Sequence, residues 1–504
     1  MAERRMSRVL IRETRNVRRM PHGRTVLTIV LTTFLSGCAV GPDFKTPEAP
    51  HATSFLPNHD KDLPRGDTVQ GRKLLSGQSL PPEWWELFGS PALDRLVREG
   101  LAHNPDLLSA EASVRAAQAN AMAQRGALFP VIDASFDGSR QRPPGFLSDG
   151  ETGESTRISP YNVTTRQVSV SFVPDIWGGS RRLIEAADAE TEVQIFQREG
   201  VYLTLASNIA LAAIEEARLR GQIAATHRII DLQLQFLRIL RRQNEEGQIA
   251  LPDVVVQESA VAQARLTLPP LQKQLAQQRN LLARLTGRTP ADLEAAAFVL
   301  KSFRLPRSLP ISLPGELVRQ RPDVRTAEAT LRGANAQIGA ALAARLPQVT
   351  LSGNVGKTRS NMPDLSPGGA FWLLAGNVGQ KVFDAGTLYF HQRAAEETTA
   401  KAISDYRSTV LTAFQNVADV LRALQSDAAS VQAATAAEQT ARRNIELIRR
   451  QVEQGQISVP TLIVAQEAYL QASLALIDAR ASNLADTVAL FQALGGGWWN
   501  RKDS

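Results

Sequence analysis

An internal duplication limits what this chain can fold into more than any other feature. Asn104-Pro105-Asp106, Ala110-Glu111, Arg115 and Pro130 return at one constant offset as Arg321-Pro322-Asp323, Ala327-Glu328, Arg332 and Pro347. Arg241-Arg242-Gln243, Gly247-Gln248-Ile249 and Pro252 return, again at a constant offset, as Arg449-Arg450-Gln451, Gly455-Gln456-Ile457 and Pro460. Registry held over such distances marks a duplicated unit. With only two copies the architecture must close by other means, and that need points to an oligomer.

The amino terminus indicates the compartment. Thr25 to Leu35 is a short apolar run behind a basic segment, ending in Leu35-Ser36-Gly37-Cys38, a small-residue cleavage site directly before cysteine. This is the pattern of a bacterial lipoprotein signal. The run is too short to span a bilayer as a helix. Cys38 is the only cysteine, so an intrachain disulfide is impossible and its expected use is covalent N-acyl/S-diacylglycerol attachment, with no other cofactor. Ala39 follows where an acidic inner-membrane retention signal would stand, which favours the outer membrane. Met20 would give a shorter signal than Met1, and both starts remain open.

Removal of the signal also removes most of the charge. The formal net charge is +7, and residues 1–37 hold eight arginines against two glutamates, leaving +1 on the mature chain. A nucleic-acid partner thereby loses its main support. No segment after Cys38 is continuously apolar over the length that a membrane helix needs, so any membrane crossing must be made by strands.

Four segments fit that requirement. Ile132, Ala134 and Phe136 alternate with Asp133, Ser135 and Asp137, and Val168, Val170 and Phe172 alternate with Gln167, Ser169 and Ser171. In the second copy Val349, Leu351 and Val355 oppose Thr350, Ser352 and Asn354, followed by Trp372, Leu374 and Val378 in a less regular strand. Each offers one face to lipid and one to water. The connections, Arg140 to Thr164 and Thr358 to Ala370, have loop composition, and no other strand is evident. Four strands cannot close a barrel, since the smallest have eight. Two chains would give a filled barrel and three a barrel of twelve strands with a lumen, which the Ser, Asn and Asp faces favour.

The remainder reads as helix. Gly179 to Glu246 and Thr387 to Gln454 contain no proline, and each would extend about 100 Å at 1.5 Å per residue. Apolar residues recur at helical spacing, as in Ile229, Leu232, Phe236 and Ile239. Ala428 to Ala441 holds seven alanines, which allow close approach of a neighbouring backbone. Pro105 and Pro322 suit first helical positions, with Asp106 and Asp323 at the positive helix end. Pro269-Pro270 should interrupt the return helix. Strands in a membrane with helices of this length describe a conduit.

Several words in the chain resemble the outer-membrane efflux protein family, the TolC-like channels, in its NodT/OprM-type lipoprotein branch. They are Cys38-Ala39-Val40-Gly41-Pro42-Asp43-Phe44, Trp85-Glu86-Leu87-Phe88, Asp175-Ile176-Trp177-Gly178, Leu268-Pro269-Pro270-Leu271, Arg321-Pro322-Asp323-Val324-Arg325, Ala334-Asn335-Ala336-Gln337-Ile338-Gly339-Ala340 and Ala493-Leu494-Gly495-Gly496-Gly497-Trp498. The resemblance implies a mixed α/β membrane protein: a homotrimer sharing a twelve-stranded β-barrel, four strands per chain, above a long periplasmic α-helical barrel. It also implies a tripartite pump for small molecules, with a periplasmic membrane-fusion adaptor and an inner-membrane RND-type transporter. The chain then divides into a signal peptide (1–37), a lipidated segment (38–89) and two efflux repeats (90–300 and 301–504).

By the same resemblance, the turns containing Gly247, Gln248, Pro252 and Asp253, and Gly455, Gln456, Pro460 and Thr461, are the periplasmic tip that meets the adaptor. The family often has an acidic residue where Thr461 stands, which leaves Asp253 as the candidate gating carboxylate. A structural reading competes: glycine suits a helix end, and Asp253 would cap the following helix.

Catalytic signals are weak. Gly356-Lys357-Thr358 resembles the end of a phosphate-binding loop, but that motif's first glycine would fall at Leu351. The six histidines are scattered and form no metal-binding pair. The expectation is a protein that is not an enzyme. A secreted hydrolase, a structural lipoprotein and a type I protein-secretion duct are the competing readings.

Overall fold

The computed structural model describes residues 39–48, 55, 68–69, 72–142, 146–148, 155–157, 160–292, 298–306, 308–311, 314–360, 368–454 and 456–501. Cys38 and Gly455 lie outside these residues. Two compact units are formed, one from 1–41, 130–181 and 342–381 and the other from 42–129, 182–341 and 382–504. Each unit draws on both sequence repeats, so the structural division cuts across the duplication rather than between its copies.

The first unit is built on β3 (Val131–Gln141), β6 (Tyr161–Phe172), β8 (Gln348–Ser360) and β9 (Ala370–Gly379), following β1 (Thr68–Val69) and β2 (Arg72–Ser76) of the other unit. These four form one antiparallel sheet in the order β3-β6-β8-β9. Ile132 faces Val170, Val168 faces Val355, and Val355 faces Trp372, so the apolar sets of all four strands share one face. That face is the exposed one, with Trp372 78% and Leu374 77% accessible, while in the two central strands the Ser, Thr and Asn face is more sheltered. A water-soluble sheet would show the opposite arrangement.

The strands are longer than their apolar alternation indicates. Arg140, Thr164 and Thr358, expected in loops, belong to β3, β6 and β8, and the first connection contains a small hairpin of β4 (Phe146–Ser148) and β5 (Ser155–Arg157). Periodicity reports which side chains are apolar, whereas the hydrogen-bond ladder needs only backbone. Gly356-Lys357-Thr358 lies within continuous β8, which excludes the phosphate-loop reading because the strand runs on to Ser360 where that motif needs a helix to begin.

A corner leads from β6 into a helix. Asp175 accepts from the backbone N–H groups of Ser180 and Arg181 at 3.0 and 2.9 Å, satisfying donors that the helix itself leaves unpaired. The Trp177 indole donates to the Pro347 carbonyl at 2.7 Å, and Val40 N–H donates to the Trp177 carbonyl at 3.0 Å. Gly178 has φ +77°, and a Cβ there would come within 2.6 Å of Ala39.

The second unit is helical. Its long elements are α1 (Pro91–His103), α2 (Pro105–Arg125), α3 (Gly179–Glu245), α4 (Leu251–Leu266) and α5 (Leu268–Leu285), then α6 (Pro314–Gln320), α7 (Pro322–Ala343), α8 (Thr387–Glu453) and α9 (Val459–Ala493). The proline-free runs are continuous helices of 67 residues each, α3 and α8, with α3 starting in the first unit. Pro105 and Pro322 open α2 and α7, and the Asn104 side chain accepts from the N–H groups of Asp106 and Leu107. The return helix breaks at Thr267, whose N–H turns to the carbonyl of Ala264 just before Pro269 and Pro270, which have no N–H to donate. The alanine-rich helix α8 packs along α9.

A sheet with no signal in the sequence joins this unit: β1 pairs with β2, and β2 pairs in parallel with β7 (Ser308–Ile311). The unit's main core includes Trp84, Trp85, Phe88, Phe298 and Phe491. Each fully buried Phe or Leu of this kind contributes roughly 1.5–3 kcal/mol. The carboxyl-terminal glycines lock onto the same region. Gly495, Gly496 and Gly497 all have positive φ, and a Cβ on Gly497 would approach the Leu80 carbonyl to 2.5 Å. The Trp498 indole donates to the Gln320 carbonyl at 2.6 Å, and the Trp499 indole to Ser79 at 3.0 Å.

Candidate partner-contact site at the hairpin turns

The first turn begins where α3 ends. Gly247, at φ +74°, lets its own N–H reach the Asn244 carbonyl at 2.9 Å and the Gln248 N–H reach the Gln243 carbonyl at 2.8 Å. This is a Schellman closure, which satisfies carbonyls that the helix end leaves free. The Asn244 amide donates to the Ile249 carbonyl at 2.9 Å and fixes the exit of the chain. Pro252 then occupies the second position of α4, where its missing N–H costs nothing.

Asp253 does not cap α4. The N-cap is Ala250, without a side-chain capping bond, and Asp253 sits in the first helical turn with its N–H directed to the Ala250 carbonyl at 3.2 Å. Its half-buried carboxylate therefore acts on the positive helix end through the field of the unpaired N–H groups.

The second turn repeats this backbone pattern. Gln456 N–H donates to the Gln451 carbonyl at 2.8 Å, and Thr461 N–H to the Ser458 carbonyl at 3.1 Å, each at the same offset from its counterpart in the first turn. Pro460 again lies at the second position of its helix, α9. In place of a carboxylate, the Thr461 hydroxyl lies 3.2 Å from that of Ser458. Gln248, Pro252, Gln456, Pro460 and Thr461 are all exposed.

One apolar cluster holds the two hairpins together. It takes Phe236 and Leu240 from α3, Val254 and Val261 from α4, Ile445 and Val452 from α8, and Leu462 and Tyr469 from α9. Ile249 and Ile457, one from each turn, pack against it. The described residues among those singled out at the two turns are thus brought to one end of a shared core.

Three side chains inside this region escape the sequence analysis. Gln233, Gln257 and Gln466 are almost completely buried, and the amide oxygen of each lacks a hydrogen-bond partner. The Gln257 amide donates to the Gln233 backbone carbonyl at 3.2 Å. A signal for two of them exists: Gln257 lies between Val254 and Val261, and Gln466 between Leu462 and Tyr469, polar residues at core spacing. The Arg241–Glu258 ion pair, 2.6 Å long, also escapes it and ties α3 to α4.

Further along the helices, Arg218 joins α3 to α9 by donating to Asp478 at 2.9 Å while holding Glu215. Hydrogen bonding to Glu215, and then to Asp478, raises its pKa further, so it stays charged at any working pH. A groove of about 870 Å³, lined in part by Asn104, Asp106, Phe196, Asp323 and Asp405, opens between the starts of α2 and α7. Its described lining has neither His nor Cys. Among the described residues no cluster of His, Cys, Asp or Glu could hold a metal, and no helix is long and apolar enough to cross a membrane.

The comparisons with known proteins match this architecture. The profile of the outer membrane efflux protein family matches residues 96–288 and again 313–496. The toluene efflux pump outer membrane protein TtgC of Pseudomonas putida is 32% identical over 95% of this chain and 96% of its own length. The pyoverdine export outer membrane protein OpmQ of Pseudomonas aeruginosa is 28% identical over 85% of this chain and 91% of its own. The solved outer-membrane channel OprN superposes with a TM-score of 0.79 at 25% identity, covering 92% of this chain and all of that one. The exposed apolar sheet face, the two very long helices and these matches agree: this chain belongs to the outer membrane efflux protein family.

Proposed function

We propose that the protein is the outer-membrane duct of a tripartite pump that expels small molecules. Residence in the outer membrane and a channel role in efflux follow from the family. The finer reading is that three chains share one barrel, and a single observation carries it. The four-stranded sheet turns its apolar face outward and leaves β3 and β9, its two edges, without a partner strand within the sheet. An open edge in lipid strands backbone donors and acceptors, so copies must supply the missing partners. Three copies give twelve strands and a lumen lined by the Ser, Thr, Asn and Asp face.

The turn residues, Gly247, Gln248, Pro252 and Asp253 with Gln456, Pro460 and Thr461, and with Gly455, are the surface offered to a periplasmic adaptor, which links the duct to an inner-membrane RND-type transporter. Cys38 carries the lipid. The chain performs no catalysis, and the transporter supplies the energy. Toluene and pyoverdine in the relatives' names support cargo of the small-molecule class, while a wet channel leaves the choice to the pump.

The test is stoichiometry together with conductance. Native mass measurement of the purified protein should give a trimer, and that trimer should conduct in a planar bilayer. A stable inserted monomer, or a trimer that never conducts, would overturn the reading. Cys38→Ser should abolish lipid labelling while the strands keep the trimer in the membrane.

A further inference from the structure

Charge is completely segregated between the two faces of the four-stranded sheet. Register places Arg140, Arg166, Lys357 and Arg359 on the same face as Ile132, Phe136, Val168 and Trp372. The strand carboxylates, Asp133 and Asp137, lie on the other face, where Asp137 accepts from Ser135 at 3.1 Å. All four cations are exposed. They gather toward the loop end of the sheet, with Arg140 next to the end of β3, Arg359 next to the end of β8, and Arg166 directly opposite Lys357.

Two like charges directly opposite on adjacent strands repel. Among the described residues, none of the four is paired with a carboxylate, and the one contact formed is the Arg166 guanidinium over the Phe136 ring at 5.3 Å. The aliphatic stems and the ring fit the edge of an apolar layer, while the charged heads gather at one level, where an anion would complement them. On a face that meets lipid, the anion at the boundary is the headgroup phosphate.

We infer that Arg166, Lys357 and Arg359, with Arg140 above them, form a binding site for the phosphates of an anionic membrane lipid on the lipid-facing rim of the barrel. The inference rests on the membrane-channel reading above and adds to it that the loop ends of the strands face the exterior. The ligand class is then a glycolipid bearing phosphate on its sugar headgroup, held by charge-assisted hydrogen bonds from adjacent strands. Such a contact would also neutralise the Arg166–Lys357 repulsion, so the lipid would serve as a structural part of the rim.

The experiment uses the delipidated full-length oligomer with bisphosphorylated lipid A as probe, read by native mass spectrometry. Wild type should retain lipid A in preference to phosphatidylethanolamine, and inorganic phosphate at equal concentration should not displace it. The triple variant Arg166→Gln/Lys357→Gln/Arg359→Gln should lose retention at least tenfold, a change of about 1.4 kcal/mol. Arg166→Lys/Arg359→Lys should keep it, and Asp133→Asn on the opposite face should leave it unchanged. Equal retention by wild type and the triple variant, or displacement by inorganic phosphate, would overturn the proposal. Conductance of the same variant in a bilayer separates the two readings: a variant that conducts but no longer prefers lipid A supports the site, and wild type that fails to insert removes the channel reading beneath it.

Discussion

The two hairpin turns share a backbone and the residues Gln248/Gln456 and Pro252/Pro460, but differ at a few positions whose side chains could act. Both close with the same hydrogen bonds, Gln248 to Gln243 and Gln456 to Gln451, then Asp253 to Ala250 and Thr461 to Ser458. Asn244, which pins the first turn through the Ile249 carbonyl, is matched at the repeat offset by Val452, a core residue. Glu258, paired with Arg241, is matched by the buried Gln466. Duplication has thus kept the turn geometry, which Gly and Pro impose locally, while the side-chain chemistry of the two hairpins has diverged. The tip therefore has two kinds of hairpin, and a partner reading it meets two different surfaces.

Removing the shared backbone device should produce the largest effect. Gly247→Val forces a β-branched residue into φ +74° and should cost about 1–2 kcal/mol, seen as a lower unfolding midpoint in urea, with the second turn untouched. An unchanged midpoint would mean that the first turn relaxes freely, and the comparison of backbones would fail.

A smaller effect of opposite sign should come from the buried amides. Gln466→Leu removes an unpartnered oxygen from an apolar cluster and should stabilise by up to about 1 kcal/mol. Gln257→Leu also loses the bond to the Gln233 carbonyl, so its net effect should be near zero. Equal gains from both would show that this bond contributes nothing.

The smallest effect on stability, and the most informative for function, concerns the carboxylate present in only one turn. Asp253→Asn should cost only about 0.3–1 kcal/mol through the helix-end field. Three copies of the carboxylate near one axis should nonetheless shape ion selectivity, so this variant should lower cation preference in single-channel recordings. Adding a carboxylate with Thr461→Asp should raise it. Selectivity unmoved by either change would leave Asp253 with a purely structural role.

Much of this is legible in the chain because it is decided locally. A proline-free run with helical periodicity forms a helix wherever it is placed, which is why the limits of α3 and α8 fall next to the sequence boundaries. Alternation likewise marks the four strands and their apolar face, and Pro269-Pro270 marks the break at Thr267. The exposure of that face is not legible in the alternation itself, which is the same for a sheet buried on a core and one turned outward; it follows only from the lipoprotein signal beside it. The competing reading of Asp253 as a helix cap fails for a related reason: Asp is a good cap in general, and only the position of Ala250 shows that the cap is already taken.

The duplication, the long helices, the strand faces and the family resemblance can all be read from the residues alone. Tertiary structure decided the rest through contacts between distant residues. The very short β1 has no periodicity to detect, and β2 finds β7 only after the whole first repeat has intervened. Nothing local to Gly497 indicates its contact, which is made by the distant Leu80 carbonyl lying where its side chain would be. The compact units mix both copies of the repeat, since strands pair and helices pack by proximity after folding, whereas sequence records only the order in which they were made.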